Sequence, residues 1–100
     1  MRQDAVGNYR VRVLSDDVVN RLREEITAID RELIALVNRR IATVARLKRH
    51  KDEHGIAFVD PDREEQMVAE RVRENDGPLS EAGLRAFYAE LLALTKREVG

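Results

Sequence analysis

At 100 residues the chain suits one small domain. It is 37% charged and 43% hydrophobic with a net charge of −1, a globular balance without the basic excess that nucleic-acid binding requires. The absence of cysteine excludes a disulfide scaffold and a thiolate zinc site.

Two tyrosines, two phenylalanines and no tryptophan suit an aliphatic helical core better than a sandwich or barrel. The two histidines, His50 and His54, stand four apart, a spacing that can hold a metal. No HExxH pattern accompanies them, and a solvated helix end accounts for both, so neither metal nor cofactor is expected. No uninterrupted apolar run approaches the roughly 18 residues of a membrane span. The N-terminus lacks the charged-then-apolar order of a signal peptide. The expected setting is the cytoplasm, without a nucleic-acid or membrane partner.

Residues 1–14 read as a flexible arm. "RVRVL" alternates charged and apolar residues and can pair as a short strand, but Gly7 and Asn8 precede it. The domain proper is expected over 15–100. Ser15, Asp16 and Asp17 are helix-capping types, and acids favour a helix N-terminus. Helical periodicity then runs to about His54, where Gly55 supplies a stop. That is a helix of about 37 residues, roughly 55 Å long. A compact chain of this size has a radius of gyration of only about 13 Å. The helix therefore needs a partner, and a second copy in a two-fold dimer is the simplest one.

In "HGIAFVDPDRE", Ile56, Phe58 and Val59 are expected to anchor a turn in apolar surface. Asp60 and Pro61 form an N-cap followed by proline at the first helical position. A second helix is predicted over about 61–75 with Met67, Val68 and Val72 inward, ended by "NDGP". Ser80 caps a third over about 81–98, whose stripe is Leu84, Phe87, Tyr88, Leu91, Leu92, Thr95 and Val99. The expected fold is all-α, with one long and two shorter helices per chain.

Polar residues interrupt this apolar pattern. Leu22, Ile26, Ile29, Leu33 and Leu36 mark a stripe at helical spacing, and the next position holds Arg40 before Val44 and Leu47 resume it. A buried, unpaired charge costs several kcal/mol, roughly. Arg40 therefore pairs with an acid on another helix, lets its stem snorkel, or awaits an anionic ligand between helices. Lys51 follows 11 residues later, which returns it to within about 20° of the same face and roughly 16 Å further along. Arg63 stands in the first turn of the second helix, where the macrodipole disfavours cations. It either pairs with Glu64 or Glu65 at the surface or clamps an anion beside a carboxylate that can accept from a hydroxyl. Arg23 lies about 100° around the helix from Arg40, so the two meet at one small ligand only across an antiparallel dimer. Thr95 can bond its own helix or a ligand, and Val99 reads as core or a frayed end. No nucleophile beside a base and no glycine-rich phosphate loop is present. Cations, a carboxylate and a hydroxyl suit a small hydroxylated dicarboxylate, handled by positioning and electrostatic stabilisation.

The order "LREEITAIDRELIALVNRRIATVARLKRHK", then "FVDPDRE", then a third helix resembles the all-helical chorismate mutases over residues 18–99. The resemblance implies an intertwined three-helix homodimer that rearranges chorismate to prephenate, the entry to phenylalanine and tyrosine synthesis, without a cofactor. It implies that Arg23 crosses from the other subunit to a substrate carboxylate. Arg40 and Arg63 match the remaining carboxylate-binding arginines, and Lys51 the cation on the ether oxygen of the breaking bond. Glu64 matches the acid that holds the ring hydroxyl, Asp60 the position beside it, and Thr95 a position where many members have serine. Val99 departs from the pattern, since many members place glutamine or glutamate there as a second group on the ether oxygen. Loss of one such donor typically costs about 10²–10³ in rate. An actinobacterial-type subclass with a short C-terminus is similar at this end, and it implies a shikimate-pathway synthase as an activating partner. On the same fold, related proteins cleave isochorismate or rearrange aminodeoxychorismate, the alternative readings.

Overall fold

The computed structural model describes residues 2–100, with side chains from Asp16 onward. The chain is all-α: α1 spans Arg2–Glu53, α2 Pro61–Glu74 and α3 Glu81–Val99. The backbone corrects the expected start of the long helix. It is helical from Arg2, so "RVRVL" forms no strand and Ser15–Asp17 lie within α1 rather than capping it. One glycine inside a helix costs only about 1 kcal/mol, so Gly7 does not end the turn it sits in. The side chains of the 1–14 arm lie outside the described residues.

The other boundaries follow local chemistry. Gly55 adopts a left-handed φ of 66° and ends α1. The Ile56 amide donates to the Lys51 carbonyl at 2.8 Å and the Gly55 amide to that of Asp52 at 3.5 Å, the pairing that satisfies the last carbonyls of a glycine-terminated helix. Asp60 caps α2, its Oδ1 accepting from the Arg63 amide at 3.1 Å, with Pro61 in the first turn. Asn75 ends α2 and donates from Nδ2 to the Leu79 carbonyl at 2.8 Å, closing the "NDGP" turn. Ser80 caps α3, its Oγ accepting from the Gly83 amide at 3.0 Å.

The chain divides into two units, 1–38 and 39–100. In the first, every described residue from Asp16 to Leu36 is exposed, including Leu22, Ile26, Ile29 and Leu33 of the apolar stripe. In the second, α2 packs on α3. Met67, Val68 and Val72 are half-buried against half-buried Leu84, Leu91 and Leu92, and Tyr88 and Thr95 are buried. Two expectations need correction here. Phe87 is half exposed rather than part of the α3 core, and in the turn only Phe58 is half-buried, while Ile56 and Val59 remain about half exposed. Phe87 departs because the buried stripe of α3 is narrow, centred on Leu84, Tyr88, Leu91 and Thr95 at helical spacing.

His50 and His54 are exposed at the end of α1, with rings stacked at 4.2 Å. No described helix is long and apolar enough to cross a membrane.

Candidate active site

A cleft of about 120 Å³ lies within the second unit. Its apolar wall is made by Val44 and Leu47 of α1, Phe58 and Val59 of the connecting turn, Met67 of α2 and Leu92 of α3. Into this wall project Arg40, Lys51, Asp60, Arg63, Glu64, Thr95 and Lys96. Cations outnumber acids by four to two in this set, so the cleft favours an anion.

Arg40 comes from α1, where the stripe required an apolar residue. Its Nη1 donates to Thr95 Oγ1 at 2.6 Å. Thr95 is only 4% exposed and its hydroxyl donates a hydrogen bond to the Leu91 carbonyl at 2.7 Å. The hydroxyl is thereby saturated as a donor and aims its lone pairs at the guanidinium. No carboxylate forms an ion pair with Arg40 among the described residues. Of the readings left open for this arginine, the ion pair with an acid on another helix is therefore not found among the described residues. A guanidinium carries five donors, so this contact with a neutral hydroxyl leaves most of its capacity for a ligand.

Lys51, half-buried in the last turn of α1, donates from Nζ to the Phe58 carbonyl at 3.3 Å. This contact ties the turn to α1 and holds the ammonium at the rim of the cleft. Asp60 spends Oδ1 on capping α2 and is among the residues that line the cleft. Arg63 is exposed, with Nη1 4.0 Å from Glu70 Oε1, a loose pairing. Glu70 also meets Arg71 at 3.5 Å, and Arg71 is held above its ordinary pKa chiefly by its hydrogen bond to Glu74. The acids along α2 thus engage Arg71 and leave Arg63 weakly held. Glu64, in the first turn of α2 where anions are favoured, places Oε1 2.7 Å from Lys96 Nζ.

The cleft brings together Arg40, Lys51, Asp60, Arg63, Glu64 and Thr95 of the sequence-derived set. It omits two. Val99 is half-buried in the last turn of α3 but is not among the lining residues. Arg23 belongs to the first unit, where it is exposed beside Asn20, Glu24 and Thr27. Lys96 is the residue that sequence reasoning missed. A cation in the last turn of a helix is ordinary, because it complements the macrodipole, and so attracts no notice. Its spacing of four from Leu92 was the available signal, for it puts Lys96 on the face that includes Thr95.

The sequence profile of the family described as chorismate mutase type II matches residues 22–99. The chain belongs to that family. A solved chorismate mutase from Thermus thermophilus superposes with a TM-score of 0.75 at 31% identity, covering 77% of this chain and 96% of that one. The T-protein of Haemophilus influenzae is 36% identical over 77 residues, 72% of this chain and 20% of that protein. The chain thus spans about a fifth of the length of this curated relative. Within the chorismate mutase domain the matched region includes all three helices from Leu22 onward, and with them every residue of the cleft.

Proposed function

We propose that this chorismate mutase domain binds chorismate and rearranges it to prephenate, using Arg40, Lys51, Arg63 and Glu64 as catalytic groups and Arg23, Asp60 and Thr95 as substrate-binding ones. The observation that carries this reading is Arg40. It lies half-buried in a cation-rich cleft, held by a hydroxyl rather than neutralised by a carboxylate. Such an arginine is pre-organised to bind a carboxylate in bidentate geometry.

The reaction is intramolecular. The carbon–oxygen ether bond breaks as a new carbon–carbon bond forms in the same molecule, with no group lost and no covalent enzyme intermediate. The protein therefore acts by holding a compact substrate conformer and stabilising the charge that grows on the ether oxygen. In this reading Arg40 and Arg63 hold carboxylates, Lys51 faces the ether oxygen, and Glu64 with Asp60 accepts from the ring hydroxyl. Val99 brings no donor to that oxygen, which makes Lys51 the main source of stabilisation.

The working form is an intertwined homodimer in which Arg23 enters the partner's cleft. The support is the apolar stripe of the first unit, Leu22, Ile26, Ile29 and Leu33, all exposed in the single chain. Contiguous apolar surface of this kind marks an interaction site. A shikimate-pathway synthase is a further partner in this reading, because Val99 leaves the free enzyme short of one donor.

Purified protein is expected to convert chorismate to prephenate, and Arg40→Ala to lose about 10-fold to 100-fold in kcat/KM, the worth of a charge-assisted hydrogen bond. An unchanged rate in that variant rejects the assignment. Isochorismate and aminodeoxychorismate offered in competition separate the two alternative reactions on this fold. Acceleration by the synthase identifies a module that depends on its partner.

A further inference from the structure

Two consecutive residues of α3 reach two different helices. Thr95 holds Arg40 of α1 at 2.6 Å, and Lys96 meets Glu64 of α2 at 2.7 Å. Among the described residues, Lys96–Glu64 is the one ion pair that joins two helices, since the others lie within α1, α2 or α3. It is also less exposed than most of them, with side chains 40% and 27% accessible, and both residues line the cleft. Surface pairs contribute little because water screens them and two long side chains must be ordered. This pair shares the cleft with apolar Met67 and Leu92 and is partly shielded from water.

Both members are also favoured by their helices. Glu64 stands in the first turn of α2, where exposed amides stabilise an anion, and Lys96 in the last turn of α3, where exposed carbonyls stabilise a cation. A carboxylate offers about four lone-pair sites on two oxygens. Lys96 occupies Oε1, so the pairing fixes the rotamer of Glu64 and leaves Oε2 for a hydroxyl donor.

We infer that Lys96 is a positioning residue: it locks the Glu64 carboxylate in the orientation that accepts the substrate's ring hydroxyl. The inference rests on the proposed mutase reading and adds a residue to it. The last turn of α3 then orients an anion-binding cation through Thr95 and a hydroxyl-accepting carboxylate through Lys96.

The test is steady-state chorismate kinetics on the full chain with Lys96→Met, Lys96→Arg, Glu64→Gln and the double variant Glu64→Gln/Lys96→Met, each first matched to wild type in helicity. Lys96→Met retains the aliphatic stem and removes the charge. If it does not fold, Lys96→Gln takes its place. The expected result is a fall of about tenfold in kcat/KM for Lys96→Met, mostly as a rise in KM, within the coupling range of paired neighbours. Lys96→Arg is expected to recover most of the loss, and the double variant to be no slower than Glu64→Gln alone. Full activity in Lys96→Met while Glu64→Gln is slow overturns the inference and leaves the mutase reading standing. The same tenfold loss in the Glu64→Gln background also overturns it, because Lys96 would then act independently of Glu64. Wild-type protein that leaves chorismate unchanged removes the underlying reading and this inference with it.

Discussion

Arg40 and Thr95, 55 residues apart in the chain, are joined by a 2.6 Å hydrogen bond in which the guanidinium donates to a hydroxyl that is 4% exposed. The contact places a permanent cation in the wall of the cleft without neutralising it. A neutral acceptor can orient an arginine and still leave its charge available, which an aspartate or glutamate in the same place cannot do.

Replacing that hydroxyl isolates its contribution. Thr95→Val conserves shape but removes the acceptor for Arg40 and the donor to the Leu91 carbonyl. A stability loss of about 1–3 kcal/mol is expected from the unsatisfied groups, together with a fall in kcat/KM from the freed guanidinium. Denaturant unfolding with an unchanged slope and chorismate kinetics measure the two separately. Thr95→Ser is expected to retain both.

Lys51 carries the electrostatic stabilisation in the proposed mechanism. Lys51→Met is expected to lower kcat by about 10²–10³, the typical effect of removing one donor to a developing oxyanion. Val99→Ala is expected to leave kcat within about threefold, since this side chain does not line the cleft. A comparable collapse of rate in both variants would contradict the assignment of Lys51.

Asp60 has two separable functions. As the cap of α2 it accepts from the Arg63 amide, and Asp60→Ala is expected to cost about 1 kcal/mol of stability. Asp60→Asn keeps the cap and is expected to retain stability, so any rise in its KM for chorismate reports the charge beside Glu64. Thermal unfolding and steady-state kinetics on both variants check this.

The exposed stripe of the first unit predicts association. Ile26→Glu, at a residue 55% exposed in the single chain, is expected to shift the protein toward monomer in sedimentation experiments and to abolish turnover. A complementation experiment tests the proposed crossing of Arg23. Arg23→Ala and Arg40→Ala proteins, each retaining at most about a tenth of wild-type activity alone, are unfolded and refolded together and are expected to recover about a quarter of it. Half the dimers are then mixed, and each has one complete site. No recovery would place Arg23 outside the partner's cleft.

Much of this was legible in the residues. The three helices follow apolar periodicity, and their ends follow Gly55, Asp60–Pro61, Asn75 and Ser80, because each end is decided by hydrogen bonds among near neighbours. The start of α1 is obscured in the residues because Gly7, Asn8 and Ser15 resemble boundary signals, while their cost is small beside the helix they interrupt. Arg40, Lys51, Arg63, Glu64 and Thr95 were visible as polar residues out of pattern or on a recognised motif, and the cleft collects all five with Asp60.

By itself, the sequence determined the three helices, the caps of α2 and α3 and the glycine stop of α1, and that charge would interrupt an apolar face at Arg40. These depend on chemistry within a turn or two of chain. Only the tertiary structure decided which groups answer those charges: Thr95 for Arg40, Lys96 for Glu64, and the Phe58 carbonyl for Lys51. The packing of α2 on α3 decided that Lys96 faces the cleft while Phe87 faces outward. Periodicity marks the face a side chain occupies, but its partner is set by the rotation and register of a neighbouring helix. That rotation and register come from packing between residues remote in the chain, which no local pattern records.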